Sequence, residues 1–405
     1  MKRNLYIGSM LLAALIVTGI GASMFTRKAT VDAAGVVAPR FEVDPMWPKP
    51  LPNHWITGNV IGVSVDAEDH IWIVHRGATL EPMETYAQQT PKGGDCCIAA
   101  PPVLEFDEDG NLIGHWGGPA KGYDWPDSNH GITVDYKGNV WIGGNGEGND
   151  PKRFRDNAIL KFTQDGKFLM QIGKPYQSKG SNDTNNVKGA AKMFVDRKTN
   201  ELIVADGYGN HRVVVFDADS GKYKRHWGAY GHKPDDTDLG NYNPKAPPAQ
   251  QFRNPVHCAE LSNDGLLYVC DRPNDRVQVF KTDGTFLKEY FIRKDTLGDG
   301  SVWDIAFSRD PEQKYLYLAD GVNEKVYVME RASMRTLTSF GDGGRQPGEF
   351  YAVHSIATDS KGNIFTTETY RGQRLQKFVY KGLAPVTKPD QGVVWPADAK
   401  SPLKP

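Results

Sequence analysis

Three histidines recur at one place in a repeated stretch of the sequence. Each precedes a turn glycine by eight residues: His130 before Gly138, His257 before Gly265, and His354 before Gly362. Three imidazoles with an open fourth position form a catalytic zinc arrangement, whereas structural zinc sites are usually closed by four ligands. If the fold brings the three side chains together, the sequence predicts a metal site with zinc as the metal.

A repeated unit of four short strands must position these histidines. Alternating apolar residues and N-D-G or K-G turns, as in GITVDYKGNVWI and AELSNDGLLYVCDR, indicate antiparallel hairpins. Six units follow one another, at about 58–118, 128–174, 189–229, 254–291, 302–341 and 352–381. Six four-stranded units predict an all-β fold, a six-bladed β-propeller spanning residues 41–385.

The propeller geometry brings the three histidines to one point. They belong to the second, fourth and sixth units, and the equivalent positions of the other units are Ile61, Ala191 and Trp303. The innermost strand of each blade lines the central channel, so alternate blades place equivalent residues about 120° apart around the axis. A single histidine is more often a satisfied polar side chain than a ligand, but the three-fold spacing favours a metal.

The loop after the second strand of each blade should open on the same face as the histidines. There the stretches WIVHR and YVCDR place Arg76 and Arg272 at equivalent sites, and DGYGNHR places Tyr208 nearby. Two guanidinium groups suit a carboxylate-bearing substrate. A tyrosine beside a metal and an arginine can have a lowered pKa and act as a base.

The same stretch also has a purely structural interpretation. The pattern D-x-x-N-x-R recurs in such repeats, with Asp and Asn bonding local backbone and Arg packing between blades. We therefore expect Asp206, Asn210 and Arg212 to be structural. Tyr208 is not required by the turn.

The two ends of the chain differ in composition from the repeats. Lys2 and Arg3 precede an apolar run over residues 5–25, which indicates a signal peptide or an uncleaved membrane anchor within residues 1–33. The protein is therefore expected to be exported, to a periplasmic or extracellular location. FEVDPMWP (41–48) is a candidate strand to close the ring, residues 386–405 form a C-terminal tail, and the insertions 77–101, 175–188 and 230–251 read as loops over one face.

The cysteines and the charge balance bear on disulfide pairing and on the class of partner. Cys258 and Cys270 would lie on neighbouring strands of one hairpin and are expected to form a disulfide. Cys96 and Cys97 are adjacent and could pair with each other only in a strained ring, so no pairing is predicted for them. With 48 basic and 49 acidic residues the charges balance, and no basic patch indicates a nucleic-acid partner.

The motifs IVHRG, NHGITVDYKGNVWI, VADGYGNHRVVVF, VHCAELSNDGLLYVCDR and VHSIATDSKGNIF resemble those of the peptidyl-α-hydroxyglycine α-amidating lyases, and the units resemble NHL repeats. The resemblance covers about residues 55–380. It implies a zinc-dependent lyase that cleaves an α-hydroxy-amide to an amide and glyoxylate. It also implies zinc ligands at His130, His257 and His354, catalytic roles for Arg76 and Tyr208, and a second active-site arginine at Arg272.

The sequence departs from that family at two places. The family's acidic residue after the last ligand, which also serves a structural calcium, is Ser355 here, so calcium is not carried over. The family's cysteine after the tyrosine is Gly209. Two alternatives to the lyase stay open: a metal-dependent hydrolase such as a lactonase, whose metals usually bind carboxylates and Asn, and a non-catalytic NHL propeller that binds a protein or glycan.

Overall fold

Six antiparallel sheets of four strands each build the protein in the computed structural model, which describes residues 35–148 and 154–396. The strands of blades 1 to 3 are β3 (Asn59–Val65), β4 (Ile71–Arg76), β6 (Val103–Phe106), β7 (Leu112–Trp116), β8 (Asn129–Val134), β9 (Val140–Gly144), β10 (Ala158–Phe162), β11 (Phe168–Gly173), β12 (Ala190–Asp196), β13 (Glu201–Asp206), β14 (Arg212–Asp217) and β15 (Tyr223–Trp227). Those of blades 4 to 6 are β16 (Val256–Leu261), β17 (Leu266–Asp271), β18 (Arg276–Lys281), β19 (Phe286–Phe291), β20 (Asp304–Phe307), β21 (Tyr315–Asp320), β22 (Lys325–Glu330), β23 (Arg335–Phe340), β24 (Val353–Thr358), β25 (Ile364–Glu368), β26 (Leu375–Pro385) and β1 (Val37–Asp44).

The blades close into a ring, which confirms the predicted six-bladed β-propeller. The innermost strands β3, β8, β12, β16, β20 and β24 contact one another in that order, and β24 returns to β3. The strand that closes the ring is β1, which pairs antiparallel with β26, with Phe41 opposite Tyr380. The sequence located this strand at 41–48, whereas it begins at Val37 and ends at Asp44. Blade 6 therefore combines the two ends of the described chain.

Apolar side chains between the blades form the core. Six clusters of buried residues fill the six gaps, one for each pair of neighbouring blades. Trp72 and Trp141 are fully buried, and their indole N–H groups donate to Asp66 and Asp135 in the hairpin turns of their own blades. Face-to-face packing of the twisted sheets in this way positions the innermost strands around the channel.

Turn glycines explain why the histidine spacing is constant. Gly138, Gly265 and Gly362 all have φ between 77° and 84°, a left-handed conformation that costs glycine little. Each lies in the hairpin turn that joins the first and second strands of its blade. A fixed turn keeps the distance from the turn to the channel end of the innermost strand the same in each of these blades.

The segments between the blade strands are mostly irregular. Short 3-10 helices occur at Gly77–Thr79, Pro82–Glu84, Tyr86–Gln88, Ala229–Gly231 and Arg272–Asn274. Two-residue strands, β2 (Trp55–Ile56) and β5 (Ile98–Ala99), pair in parallel and tie the 77–101 insertion to the approach to blade 1. Residues 386–396 run back along β1, where Val394 bonds Val43 and Phe41.

Two disulfides join the four cysteines. Cys258 and Cys270 face each other across β16 and β17, which confirms the predicted bridge. The structure also joins Cys96 to Cys97. The predicted signal peptide or anchor lies outside the described residues, and within them no helix has both the length and the apolar character needed to cross a membrane.

Candidate active site

β-bulges mark the place where the innermost strands reach the site. In the three even-numbered blades the pairing with the second strand shifts across His130, His257 and His354. Equivalent shifts lie at Ile61 in blade 1 and Ala191 in blade 3. A bulge leaves a residue out of the regular alternation and re-aims its side chain, as is common beside active sites.

The three histidines meet on the channel axis, as predicted. Their ring centroids are 4.8 to 5.1 Å apart, and their candidate ligand atoms lie within 4.8 Å of one another. All three side chains are buried, with 4% exposure or less. The structure describes one other group of three candidate ligands, Asp66, His70 and Glu105, in blade 1.

Backbone carbonyls of the odd-numbered blades orient the three rings. The Nδ1 atom of His130 lies 2.7 Å from the Ala191 carbonyl oxygen, and that of His354 lies 2.6 Å from the Ile61 oxygen. The Nδ1 atom of His257 bonds the Trp303 carbonyl. Because a carbonyl only accepts, each Nδ1 carries the proton and each Nε2 keeps its lone pair.

Burial keeps these imidazoles neutral. It lowers the pKa of all three far below the usual value for histidine, to about 3 for His354. The positive charge of Arg272 acts in the same direction on each ring, and that of Arg76 does so on His130 and His354. Neutral imidazole is the form that binds a metal.

The hydrogen-bond inventory of the three rings fits a bound cation. The Tyr208 hydroxyl lies 2.8 Å from Nε2 of His130 and 3.1 Å from Nε2 of His257, but it has one proton to donate. Nε2 of His354 has no hydrogen-bond donor among the described residues. Two of the three Nε2 lone pairs therefore lack a donor among the described residues, and a metal ion would satisfy all three.

Tyr208 places its hydroxyl beside the histidines. It follows β13 in the turn DGYGNHR, and Gly189 passes so close to it that a Cβ there would clash with Tyr208. Among the protein's own groups, burial dominates and raises the pKa of Tyr208, while Arg272 and Arg76 act to lower it. The sequence predicts a lowered pKa for Tyr208. For that to hold, a bound metal would have to lower the pKa in addition to the two arginines.

Arg76 presents a positive charge at the end of β4. Its Nε donates to the Asn129 carbonyl at 2.9 Å and its Nη2 to Oδ1 of Asn145 at 2.7 Å. Burial lowers the pKa of Arg76, and Tyr208 and Asp156 act to raise it. Within residues 35–148 and 154–396 no carboxylate lies within ion-pair distance of this guanidinium.

Arg272 approaches the site from blade 4. Its guanidinium lies 4.4 Å from the ring centroid of Trp303 and 6.0 Å from that of Tyr208. A long contact of 3.4 Å joins it to Asp299, whose side chain is half exposed, and its buried Nε has no partner in the described part of the chain. This arginine therefore keeps hydrogen-bonding capacity for a ligand.

The remaining polar residues of the DGYGNHR turn are structural, as expected. Arg212 and Asp206 form a buried ion pair at 2.8 Å, and Asn210 donates to the same carboxylate. The other nitrogens of Arg212 donate to carbonyls of Ser181, Asp183 and Asn186. The turn thus anchors the 175–188 insertion beside Tyr208.

A groove leads from Arg272 toward solvent. The insertions 175–188 and 230–251 line it together with Gly209, Arg253 and Asp299, and its volume is about 690 Å³. It is large enough for part of a small substrate beyond the group held by the arginines. These two insertions therefore lie together on one face, beside Arg272 and Gly209.

Several residues of the site gave no signal in the sequence. Ile61, Ala191 and Trp303 were recognised as equivalents of the histidines but assigned no part in the site, because they act through carbonyls that every residue has. The indole stacked on Arg272 could have been suspected, since Trp303 is the one aromatic residue at these positions. Asn129 and Asn145, which hold Arg76, come from a neighbouring blade.

Distant relatives are found among amidating enzymes and NHL proteins, although no protein-family model matches the chain. Peptidylglycine alpha-amidating monooxygenase of Rattus norvegicus is 27% identical over 234 residues, 56% of this chain and 21% of that protein. Peptidyl-alpha-hydroxyglycine alpha-amidating lyase 1 of Drosophila melanogaster is 25% identical over 366 residues, 84% of this chain and 59% of that protein. NHL repeat-containing protein 3 of Mus musculus is 25% identical over 296 residues, 69% and 67% of the two chains. The chain thus matches about a fifth of the rat protein and less than two thirds of the fly protein.

Among solved structures, virginiamycin B lyase from Staphylococcus aureus with quinupristin has a TM-score of 0.46 and 14% identity, covering 87% of this chain and 89% of that one. A streptogramin B lyase has a TM-score of 0.48 and 11% identity, covering 85% and 98%.

Proposed function

We propose that the protein is a zinc-dependent lyase that cleaves the C–N bond of an α-hydroxy-amide of the peptidyl-α-hydroxyglycine type, yielding an amide and glyoxylate. One observation carries the proposal: three neutral imidazoles with free Nε2 lone pairs meet a tyrosine hydroxyl, with two arginines beside them. The relationship to amidating enzymes supports the same reaction.

The residues present fit a metal ion held by His130, His257 and His354. Zinc bound there would supply Lewis acidity, which lowers the pKa of a hydroxyl group beside it. The carbonyls at Ile61 and Ala191 keep two of the rings in the tautomer that leaves Nε2 free. This orientation is set by the fold before any substrate arrives.

Tyr208 acts as the base in this proposal. The substrate hydroxyl loses its proton to the phenolate oxygen of Tyr208, the new C=O bond forms, and the C–N bond breaks. Tyr208 then returns this proton to the leaving amide nitrogen, which restores the phenolate and gives a neutral amide and glyoxylate. Burial raises the pKa of Tyr208 and Arg272 and Arg76 act against that effect, so the phenolate form would depend on a zinc ion bound at the histidines to lower the pKa further.

The two arginines hold the substrate's carboxylate. Arg76 lacks a carboxylate partner among the described residues and Arg272 has only the long contact to Asp299, so both can bind an anion without breaking a strong ion pair. The remainder of the substrate extends into the groove beside Arg272. A small-molecule or peptide-derived carboxylate is the ligand class that this arrangement favours.

We also propose that the protein works after export, in the periplasm or outside the cell. The Cys258–Cys270 disulfide supports an oxidising compartment. Fractionation of cells that make the full chain, with N-terminal sequencing of the product, tests this and tells a cleaved signal from an anchor. Full-length protein in the cytoplasm would contradict it.

Glyoxylate release from α-hydroxyhippurate tests the reaction. Zinc-loaded protein should release benzamide and glyoxylate in equal amounts, and the methyl ester of the substrate should react much more slowly because it lacks the carboxylate. Folded, zinc-loaded protein that releases no glyoxylate above the uncatalysed rate would refute the lyase. Lactone hydrolysis measured on the same sample would then identify the hydrolase alternative.

A further inference from the structure

An ionic cluster, in which Asp304 is buried and Lys192 and Glu260 are partly exposed, lies in the channel next to the three histidines. Lys192 Nζ is 2.7 Å from Oδ1 of Asp304 and 2.8 Å from Oε1 of Glu260. Asp304 also accepts hydrogen bonds from the Ser355 hydroxyl at 2.7 Å and from the Ile356 N–H at 3.0 Å. These residues come from blades 3, 4, 5 and 6, so the cluster joins four innermost strands at the axis.

The cluster is one residue away, along the chain, from the groups that hold the metal ligands. Lys192 follows Ala191, whose carbonyl orients His130, and Asp304 follows Trp303, whose carbonyl orients His257. Ser355 follows His354. The histidines, Lys192, Asp304 and Ser355 also line one cavity of about 10 Å³, which is too small for more than a single water molecule.

Close backbone approach leaves this layer little freedom to adjust. A Cβ at Gly131 would lie 2.4 Å from the Ala191 oxygen, and one at Gly62 would lie 2.9 Å from the His130 oxygen. Neighbouring innermost strands therefore touch through their backbones. A shift of Lys192 or Asp304 must move the carbonyls at 191 and 303, and with them the rings that they orient.

We propose that Lys192, Glu260 and Asp304 form a positioning cluster for the metal centre, which fixes the strands so that the three Nε2 atoms converge on one ion. Removing Asp304 fully and Lys192 and Glu260 largely from water is costly, so such a cluster is weak support for stability alone. Its directional bonds instead define one relative placement of four strands. The inference rests on the metal-binding part of the proposed function and is independent of the reaction.

A second buried lysine provides a matched control. Lys161 is 7% exposed, donates to the Ala218 carbonyl at 2.8 Å, and lies 4.8 Å from the ring centroid of Trp141. It packs between blades and away from the histidines. Replacing either lysine by methionine removes a buried ammonium group, but only Lys192 touches the strands that orient the ligands.

The experiment compares zinc affinity with stability in three proteins. Wild type, Lys192→Met and Lys161→Met are stripped of metal, and their zinc affinity is measured by competition with a chromophoric chelator, alongside the thermal midpoint of the metal-free form. Lys192→Met should bind zinc about 10 to 100 times more weakly, the usual effect of losing an outer partner of a metal ligand. Lys161→Met should bind within about threefold of wild type, whatever its midpoint.

The visible spectrum of the cobalt-loaded proteins supplies a readout that stability does not move. The ligand-field bands should shift or weaken in Lys192→Met and match wild type in Lys161→Met. If Lys192→Met does not fold, Glu260→Gln replaces it, because this change keeps the size and a hydrogen-bond acceptor while removing one charge; a weakening of zinc binding of severalfold is expected.

Each result decides between the inferences. Equal zinc affinity and equal cobalt spectra for wild type and the cluster variant would overturn the positioning role, and so would equal losses in the two lysine variants. Wild-type protein that binds no zinc would instead refute the metal centre on which the proposed function depends.

Discussion

The even-numbered and odd-numbered blades occupy equivalent places around the channel but contribute different chemical groups. Blades 2, 4 and 6 present imidazole side chains. Blades 1, 3 and 5 present the backbone carbonyls of Ile61, Ala191 and Trp303, each bonded to the histidine of a neighbouring blade. A ring of similar repeats thus acquires three-fold symmetry in its histidines, and the positions between the histidines are as much part of the site as the histidines are.

The largest effect is expected from removing one ligand. His257→Ala should reduce bound zinc from about one ion per chain to near zero and abolish glyoxylate release, because two imidazoles bind zinc far more weakly than three. Metal content measured by plasma mass spectrometry checks this. His75→Gln is the matched control, since His75 is equally buried but both its ring nitrogens are bonded to backbone. Full zinc occupancy in His257→Ala would show that the even blades do not form the metal site.

The next largest effect is expected at Arg76, which ends β4, the second strand of odd-numbered blade 1. Arg76→Met should lower kcat/KM for a carboxylate substrate about 100-fold, the size of effect seen when a charge-stabilising donor is lost. Zinc content should be unchanged. The same variant assayed on the methyl ester should show a much smaller loss. An equal loss on both substrates would mean that Arg76 does not bind the carboxylate.

His75 is a buried histidine outside the group of three, and its lowered pKa makes the stability of the protein depend on pH. Burial lowers its pKa to about 4 in the folded protein, against 6.5 when it is unfolded. Because the folded state holds the neutral ring, its contribution to stability is complete above pH 6.5 and is lost as the pH falls toward 4. The loss is about 3 kcal/mol at most.

Urea unfolding at several pH values measures this effect. The difference in unfolding free energy between wild type and His75→Gln should shrink as the pH falls from 6.5 to 4, since the variant cannot take up that proton. A difference that stays constant over this window would contradict a buried neutral His75.

The smallest effect is expected where an odd-numbered blade uses its backbone. Ala191→Ser changes a side chain and keeps the carbonyl that orients His130, so zinc affinity should stay within about twofold of wild type. Chelator competition measures it. A large loss of affinity would mean that the side chain at this position, and not only its carbonyl, matters to the metal.

The parts of the molecule that could be predicted from the sequence are those with side-chain signatures. The strands and the six blades followed from alternation and turn glycines, and the histidines followed from counting back from those glycines. The disulfide between Cys258 and Cys270 followed from their places on one hairpin.

Contacts between blades could not be predicted in the same way. The hydrogen bonds from ring nitrogens to carbonyls use atoms that every residue carries, so no letter in the sequence marks them. The cluster of Lys192, Glu260 and Asp304 joins residues up to 112 positions apart. The raised pKa of Tyr208 depends on how deeply the ring is buried, which no local pattern reveals.

Ring closure by β1 also bears on how the protein is made. The third histidine of the site, His354, lies in the blade that is completed only when β1 pairs with β26. A chain still emerging from the ribosome can offer His130 and His257 but not the third imidazole at its final place. The three imidazoles can therefore come together in their final arrangement only after β26 has been made and has paired with β1.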